Sequence, residues 1–551
     1  MAREQEPMSA LTLGRATALA LALAHVSARA QEPASRPDER AMFGGDAPAP
    51  APAATSSDAR PSEDNLFGGS SGGNSASPAE AAATPADTND SAPDRTGSAQ
   101  APDLVDRDAA SLSGGAARNA FDTAETTDDP LKIGGQFYLR ASASGAAGRS
   151  FSNTSLTAPT LVDGYFDARP TERLRGMVVG RLSYDPTRPS GAVDATATGG
   201  SSLSLAGVAA ANPRVLLDQA WLRFDIERTV FLTVGKQHVK WGTGTIWNPT
   251  DFLSPQRRDP LAFVDLRTGA SMIKVHVPWE SKGWNFYGIA MLDNAGPADS
   301  LGKIGGALRA EAVFGPAEVG VSAVAQKGRK TRLGIDVSSA VGPIDMYGEL
   351  ALKRGSDVPV YKLPDGVSVH DVLSSGNLGL ITEDTPTGLT PQATLGANHT
   401  FAYSENDTAV VGVEYFYNST GYTTREAYPY LLFVNQFDPF YAARHYAALY
   451  LLLAQPGSLD KTTFNLFTLG NLSDRSFTTR LNVVHRALSY LTVEAYGSVY
   501  YGQKGGTFRL AMDLPEIRRL NPETQQSEVI LKQTSVPAPT FDLGVGLRIN
   551  I

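Results

Sequence analysis

The chain has 551 residues, no cysteine and a formal net charge of −9. Without cysteine it has neither thiol catalysis nor thiolate metal sites, and an exported fold must rely on backbone pairing instead of disulfides. No apolar stretch beyond the N-terminus is long enough for a membrane helix, which excludes a helical membrane protein.

In chain order, residues 1–30 read as a signal peptide. Arg15 precedes an apolar run from Ala16 to Ala24, and Ala28-Arg29-Ala30 is a small-x-small cleavage site. Met8 offers an alternative start. Residues 31–129 form a second unit, rich in Ala, Pro, Ser, Gly and Asp. It carries 18 acids against 6 bases. Such a segment buries too little apolar surface to offset its ordering entropy, so it is expected to be a disordered, acidic periplasmic segment. The overall acidity of the chain therefore says little about any pore. Within it, Phe43-Gly44-Gly45 and Phe67-Gly68-Gly69 both follow acids and a large apolar residue. Phe43 and Phe67 are candidate partner-binding residues for a periplasmic protein, against chance recurrence in low-complexity sequence.

From residue 130 to 551 strand-length alternating segments repeat. Leu174, Val178 and Leu182 alternate with Arg173, Arg175 and Arg181. Ile344, Met346, Leu350 and Leu352 alternate with Asp345, Tyr347, Glu349 and Lys353. Leu491, Val493 and Val499 alternate with Thr492, Glu494 and Tyr496. Short turns (Gly315-Pro316, Gly342-Pro343) alternate with long loops near 185–213, 242–268, 354–390, 419–442 and 503–538. Apolar-out, polar-in strands with short periplasmic turns and long outer loops predict an all-β fold, a transmembrane antiparallel β-barrel. The tally is about eighteen strands, with sixteen as the alternative because Tyr446 to Asn471 is weakly patterned. The final strand, Phe541 to Ile551, alternates without a break and is expected to close the barrel against Ile133 to Ser142. Such a protein belongs in the outer membrane, among lipid and lipopolysaccharide, and depends on the barrel-assembly machinery.

The run Gly235-Lys236-Gln237…Trp241-Gly242…Asn248-Pro249-Thr250-Asp251, continuing to Arg257-Arg258-Asp259, has turn chemistry too dense for a floppy loop. It resembles the strand-to-loop motif of porin-like and export-type outer-membrane barrels. That resemblance covers about thirty residues and implies a channel with no catalytic residues. If the loop folds inward, Trp241, Trp247, Asn248, Asp251, Arg257, Arg258 and Asp259 form a pore constriction suited to sugars or carboxylated solutes. The competing reading is a structural plug or girdle in which Asp251 pairs with Arg258. Inward charges are of both signs with bases slightly in excess, so mild anion preference is expected.

No nucleophile elbow, His-x-x-x-His pair or phosphate loop is present, and His399 and His485 fall on apolar faces. The chain is not expected to be an enzyme, to carry a cofactor or metal, or to bind nucleic acid. The functional expectation is passive or loop-gated passage of small polar solutes. The alternative is an outer-membrane anchor or assembly barrel whose tail recruits a periplasmic partner.

Overall fold

The computed structural model describes residues 130–188, 212–254, 256–262, 267–292, 303–364, 366–375, 377–404, 407–434, 436–520, 527–531 and 533–551. Residues 1–129, with the expected signal peptide, acidic segment and both Phe-Gly-Gly motifs, lie outside the described residues.

Eighteen strands form the wall: β1 Leu131–Ala146, β2 Thr160–Thr171, β3 Leu174–Tyr184, β4 Arg214–Ile226, β5 Val230–Gln237, β6 Ala270–Trp279, β7 Trp284–Met291, β8 Gly305–Phe314 and β9 Ala317–Ala325. They continue with β10 Arg332–Val341, β11 Ile344–Arg354, β12 Leu389–Ala402, β13 Thr408–Asn418, β14 His445–Ala454, β15 Thr462–Asn471, β16 Ser476–Leu488, β17 Leu491–Gly502 and β18 Pro539–Asn550. Each strand pairs antiparallel with its neighbour. The ring closes as expected: Phe137 faces Ile549, Leu139 faces Leu547 and Ala143 faces Leu543 across β1 and β18. Ile551 exchanges both main-chain hydrogen bonds with Gly135 at 2.8 and 3.0 Å. Closure leaves no unpaired edge, the condition a sheet must meet to sit in lipid.

The pleat sorts the side chains. On β18 Leu543, Val545 and Leu547 are exposed on the outside, whereas Arg548 points inward and is 1% exposed. Inside, charges pair along the wall. Arg181 binds Asp163 at 2.6 Å, and Arg309 binds Asp336 at 2.8 Å and Glu311 at 2.8 Å. Arg548 pairs with Glu494.

Turn lengths alternate too. Gly315 and Gly342, at φ +59° and +62°, hold left-handed positions in the two-residue turns β8–β9 and β10–β11. The weak patterning of Tyr446 to Asn471 has a physical cause. Tyr446, Tyr450 and Leu452 of β14 and Phe467 and Leu469 of β15 point inward yet are apolar. They pack on loops folded into the lumen instead of facing water. Two apolar faces erase a period of two.

Candidate functional site

The loop after β5 turns inward. It tracks the inner wall, with Val239, Trp241, Phe252 and Leu253 packed on Met272 of β6, Ile289 and Met291 of β7, Ala307 of β8, Val324 of β9 and Ala351 of β11. Alanine at 307 and 351 leaves room for the loop's larger side chains. The Arg309 guanidinium faces the Trp241 ring at 5.6 Å, so the indole also meets part of the wall's charge ladder.

The loop then donates its main chain to two wall carboxylates. Glu349 of β11 accepts the N–H groups of Thr243 (2.6 Å), Gly244 (2.5 Å) and Thr250 (3.1 Å), and the Thr250 hydroxyl at 2.7 Å. Glu414 of β13 accepts N–H from Thr245 (2.9 Å), Ile246 (3.2 Å) and Trp247 (2.7 Å), and the Tyr347 hydroxyl at 2.6 Å. Thr394, on β12 between them, donates its hydroxyl to the Trp247 carbonyl at 2.9 Å. Tyr347 reaches Glu414 by lying flat over its cross-strand partner Gly396, where a Cβ would meet the ring at 2.2 Å. Gly242, at φ +98°, turns the chain against Glu349, and a Cβ there would lie 2.5 Å from the carboxylate.

Two further loops close on the first. Trp247 has no exposed surface. Its ring stacks on Phe416 of β13 at 5.7 Å and 9°, and its Nε1 donates to the Phe440 carbonyl at 3.0 Å. Phe440 belongs to the loop after β13, which Asn418 holds through the Tyr441 carbonyl at 2.9 Å. Phe508, from the loop after β17, joins the same apolar cluster. Asp474 fixes that segment by accepting the Thr507 N–H at 2.7 Å.

The seven residues singled out in the loop are therefore divided. Trp241 and Trp247 are buried against the wall, at the back of the loop. Asp251 pairs with Arg267 at 2.8 Å and accepts the Ser254 hydroxyl at 2.7 Å, so its ion pair is with Arg267 and not with Arg258. Asn248 is half-buried, and its carbonyl caps the turn at Asp251. Arg258 donates to the Thr245 carbonyl at 3.3 Å. Asp259 accepts the Leu261 N–H at 2.8 Å. Burial pushes its carboxyl up, opposed by that hydrogen bond and by Arg480, Arg140 and Arg258 nearby. Arg257 is the most open of the set, with 48% of its side chain exposed. It lies 4.4 Å over the Tyr441 ring and 3.9 Å from Asp438. Burial raises the Asp438 carboxyl to about 6, against the opposing pull of Arg257.

Sequence reasoning counted Glu349 among the inward charges and passed over Glu414, Asp438 and Tyr441. Glu414 did carry a signal. It is the single acid in an otherwise apolar and aromatic strand, where an inward carboxylate needs donors from somewhere else. Across the lumen, Arg480 of β16 lies 3.7 Å and Arg140 of β1 4.9 Å from the Tyr496 ring centroid.

A closed ring of eighteen antiparallel strands, apolar outside and charged inside, defines an outer-membrane β-barrel. No protein-family model matches the chain, and no curated relative matches it at a significant level. Among solved structures it is similar to OccAB1 of Acinetobacter baumannii, with 9% identity, TM-score 0.45, and 76% of this chain and 96% of that one covered. OccK2 of Pseudomonas aeruginosa gives 11% identity, TM-score 0.43, and coverage of 76% and 98%. A BenF-like porin from Pseudomonas fluorescens Pf-5 gives 11%, 0.41, and coverage of 76% and 99%. Likeness at this level assigns neither solute nor site, and the barrel stands on its own strand register.

Proposed function

We propose that this chain is an outer-membrane channel for small polar solutes, with loop 238–269 narrowing the lumen and a mild preference for anions. The observation that carries this reading is the path of the loop. It leaves the wall at β5 and is held inside the ring on β11 and β13, so it occupies cross-section that an eighteen-strand barrel would otherwise leave to water. Several wall charges are spent on each other. A solute at the loop's lumen side would meet Arg257 with Tyr441 beneath it. A planar guanidinium over an aromatic face suits a carboxylate or a hydroxylated ring.

The chain has no cysteine, so Arg257→Cys creates a single thiol. Labelling it with a bulky thiol reagent in a planar bilayer is expected to lower single-channel conductance and weaken anion preference. Unchanged conductance would count strongly against a narrowing loop. A barrel that serves only as an anchor would show no defined conductance in the unlabelled protein.

A further inference from the structure

We infer that Glu349 and Glu414 are the positioning residues of the loop, and that its main chain from Thr243 to Trp247 is a carboxylate-binding nest filled by the barrel's own side chains. The role in passage rests on the channel reading above; the nest itself does not.

Five successive N–H groups, 243 to 247, are donated to two carboxylates. A run of consecutive amides turned to one side forms an anion-binding concavity. Both glutamates are buried, at 4% and 2% exposure. Three other inward carboxylates answer to arginine: Asp163 to Arg181, Asp336 to Arg309 and Glu494 to Arg548. Among the described residues, Glu349 and Glu414 have no basic side chain in ion-pair range, and four loop or tyrosine donors surround each of them. Each half therefore depends on the other. Without the loop, the two carboxylates would exchange seven fixed loop donors for mobile lumen water. Without the carboxylates, a buried row of amides would have no acceptors. The apolar contacts of Ile246 and Trp247 favour burial but do not fix register, whereas seven loop donors matched to carboxylates on two strands do.

The test uses the full-length chain with a nitroxide on Arg257→Cys in detergent, barrel assembly being checked by heat-modifiable migration. The combined Glu349→Ala and Glu414→Ala variant is expected to lose the immobilised component of the spectrum. Added acetate is expected to restore it, because the anion refills the nest, and acetate should leave the Glu349→Gln, Glu414→Gln variant mobile. An immobilised label in the alanine variant overturns the inference. Mobility that acetate does not reverse also overturns it, since a cavity would then explain the loosening. Should the double variant fail to assemble, Thr250→Ala and Tyr347→Phe each remove one donor; raised label mobility in both supports the nest, and an unaltered spectrum in both refutes it. Conductance of the same samples is read separately. A loosened loop with unchanged conductance would leave the nest standing and sink the channel constriction.

Discussion

Trp247→Ala probes whether the inward loops form one cooperative unit. The indole is fully buried, stacks on Phe416, lies at 5.7 Å from the Tyr446 ring and bonds the Phe440 carbonyl. Truncating such a residue costs about 3–5 kcal/mol. The strands keep their register in the variant, so the cost falls on the seating of the loop and not on the barrel. At roughly 1.4 kcal/mol per decade, the open population of the loop should rise by about two to three and a half orders of magnitude. Native-state hydrogen exchange of peptides covering 238–262 and 436–444 reads this directly, and both should accelerate together, with strand peptides unaffected. Exchange in 238–262 at the wild-type rate would refute the reasoning, as would acceleration in that peptide alone.

Two other perturbations follow from the same geometry. Asp438 titrates near 6, above the ordinary carboxylate value, so the seated loop holds its proton more tightly than an open loop does. Seating is favoured on the acid side and weakens as pH rises through about 6. Because protonation leaves Arg257 uncompensated, reversal potentials should move toward anions between about pH 7.5 and about pH 5, and Asp438→Asn should abolish the shift. Gly396→Ala places a Cβ 2.2 Å from the Tyr347 ring. The tyrosine must swing off Glu414 at a cost of about 1–3 kcal/mol, read as faster exchange at 245–247 with strand peptides unchanged.

Strand number, closure and lipid face were legible because lipid outside and charge inside impose a period of two that turns and loops punctuate. Legibility failed where the lumen was not water. Tyr446, Tyr450 and Phe467 look out of place on an inner face until the loops that cover them are known. A fixed structure in the loop was legible from its turn chemistry, whereas its inward path was one of two readings the sequence left open. The sorting of its residues into support and surface was not, because the deciding partners, Glu349 and Glu414, lie 99 to 169 positions away along the chain. Asp251 shows the same limit. Arg258 is closer in sequence, but the fold brings Arg267 to its carboxylate.

The barrel grips the inward loop by its main chain, and every residue type except proline offers an N–H. Anchorage and chemistry are thereby separable. Outside proline at 243–247 and 250, and a side chain at Gly242 or Gly244, the loop's lumen-facing positions can change identity without loosening the hold. Under the proposed channel reading, a variant library at Arg257 would retune which solutes pass while inheriting an intact scaffold, giving natural drift and deliberate engineering the same freedom.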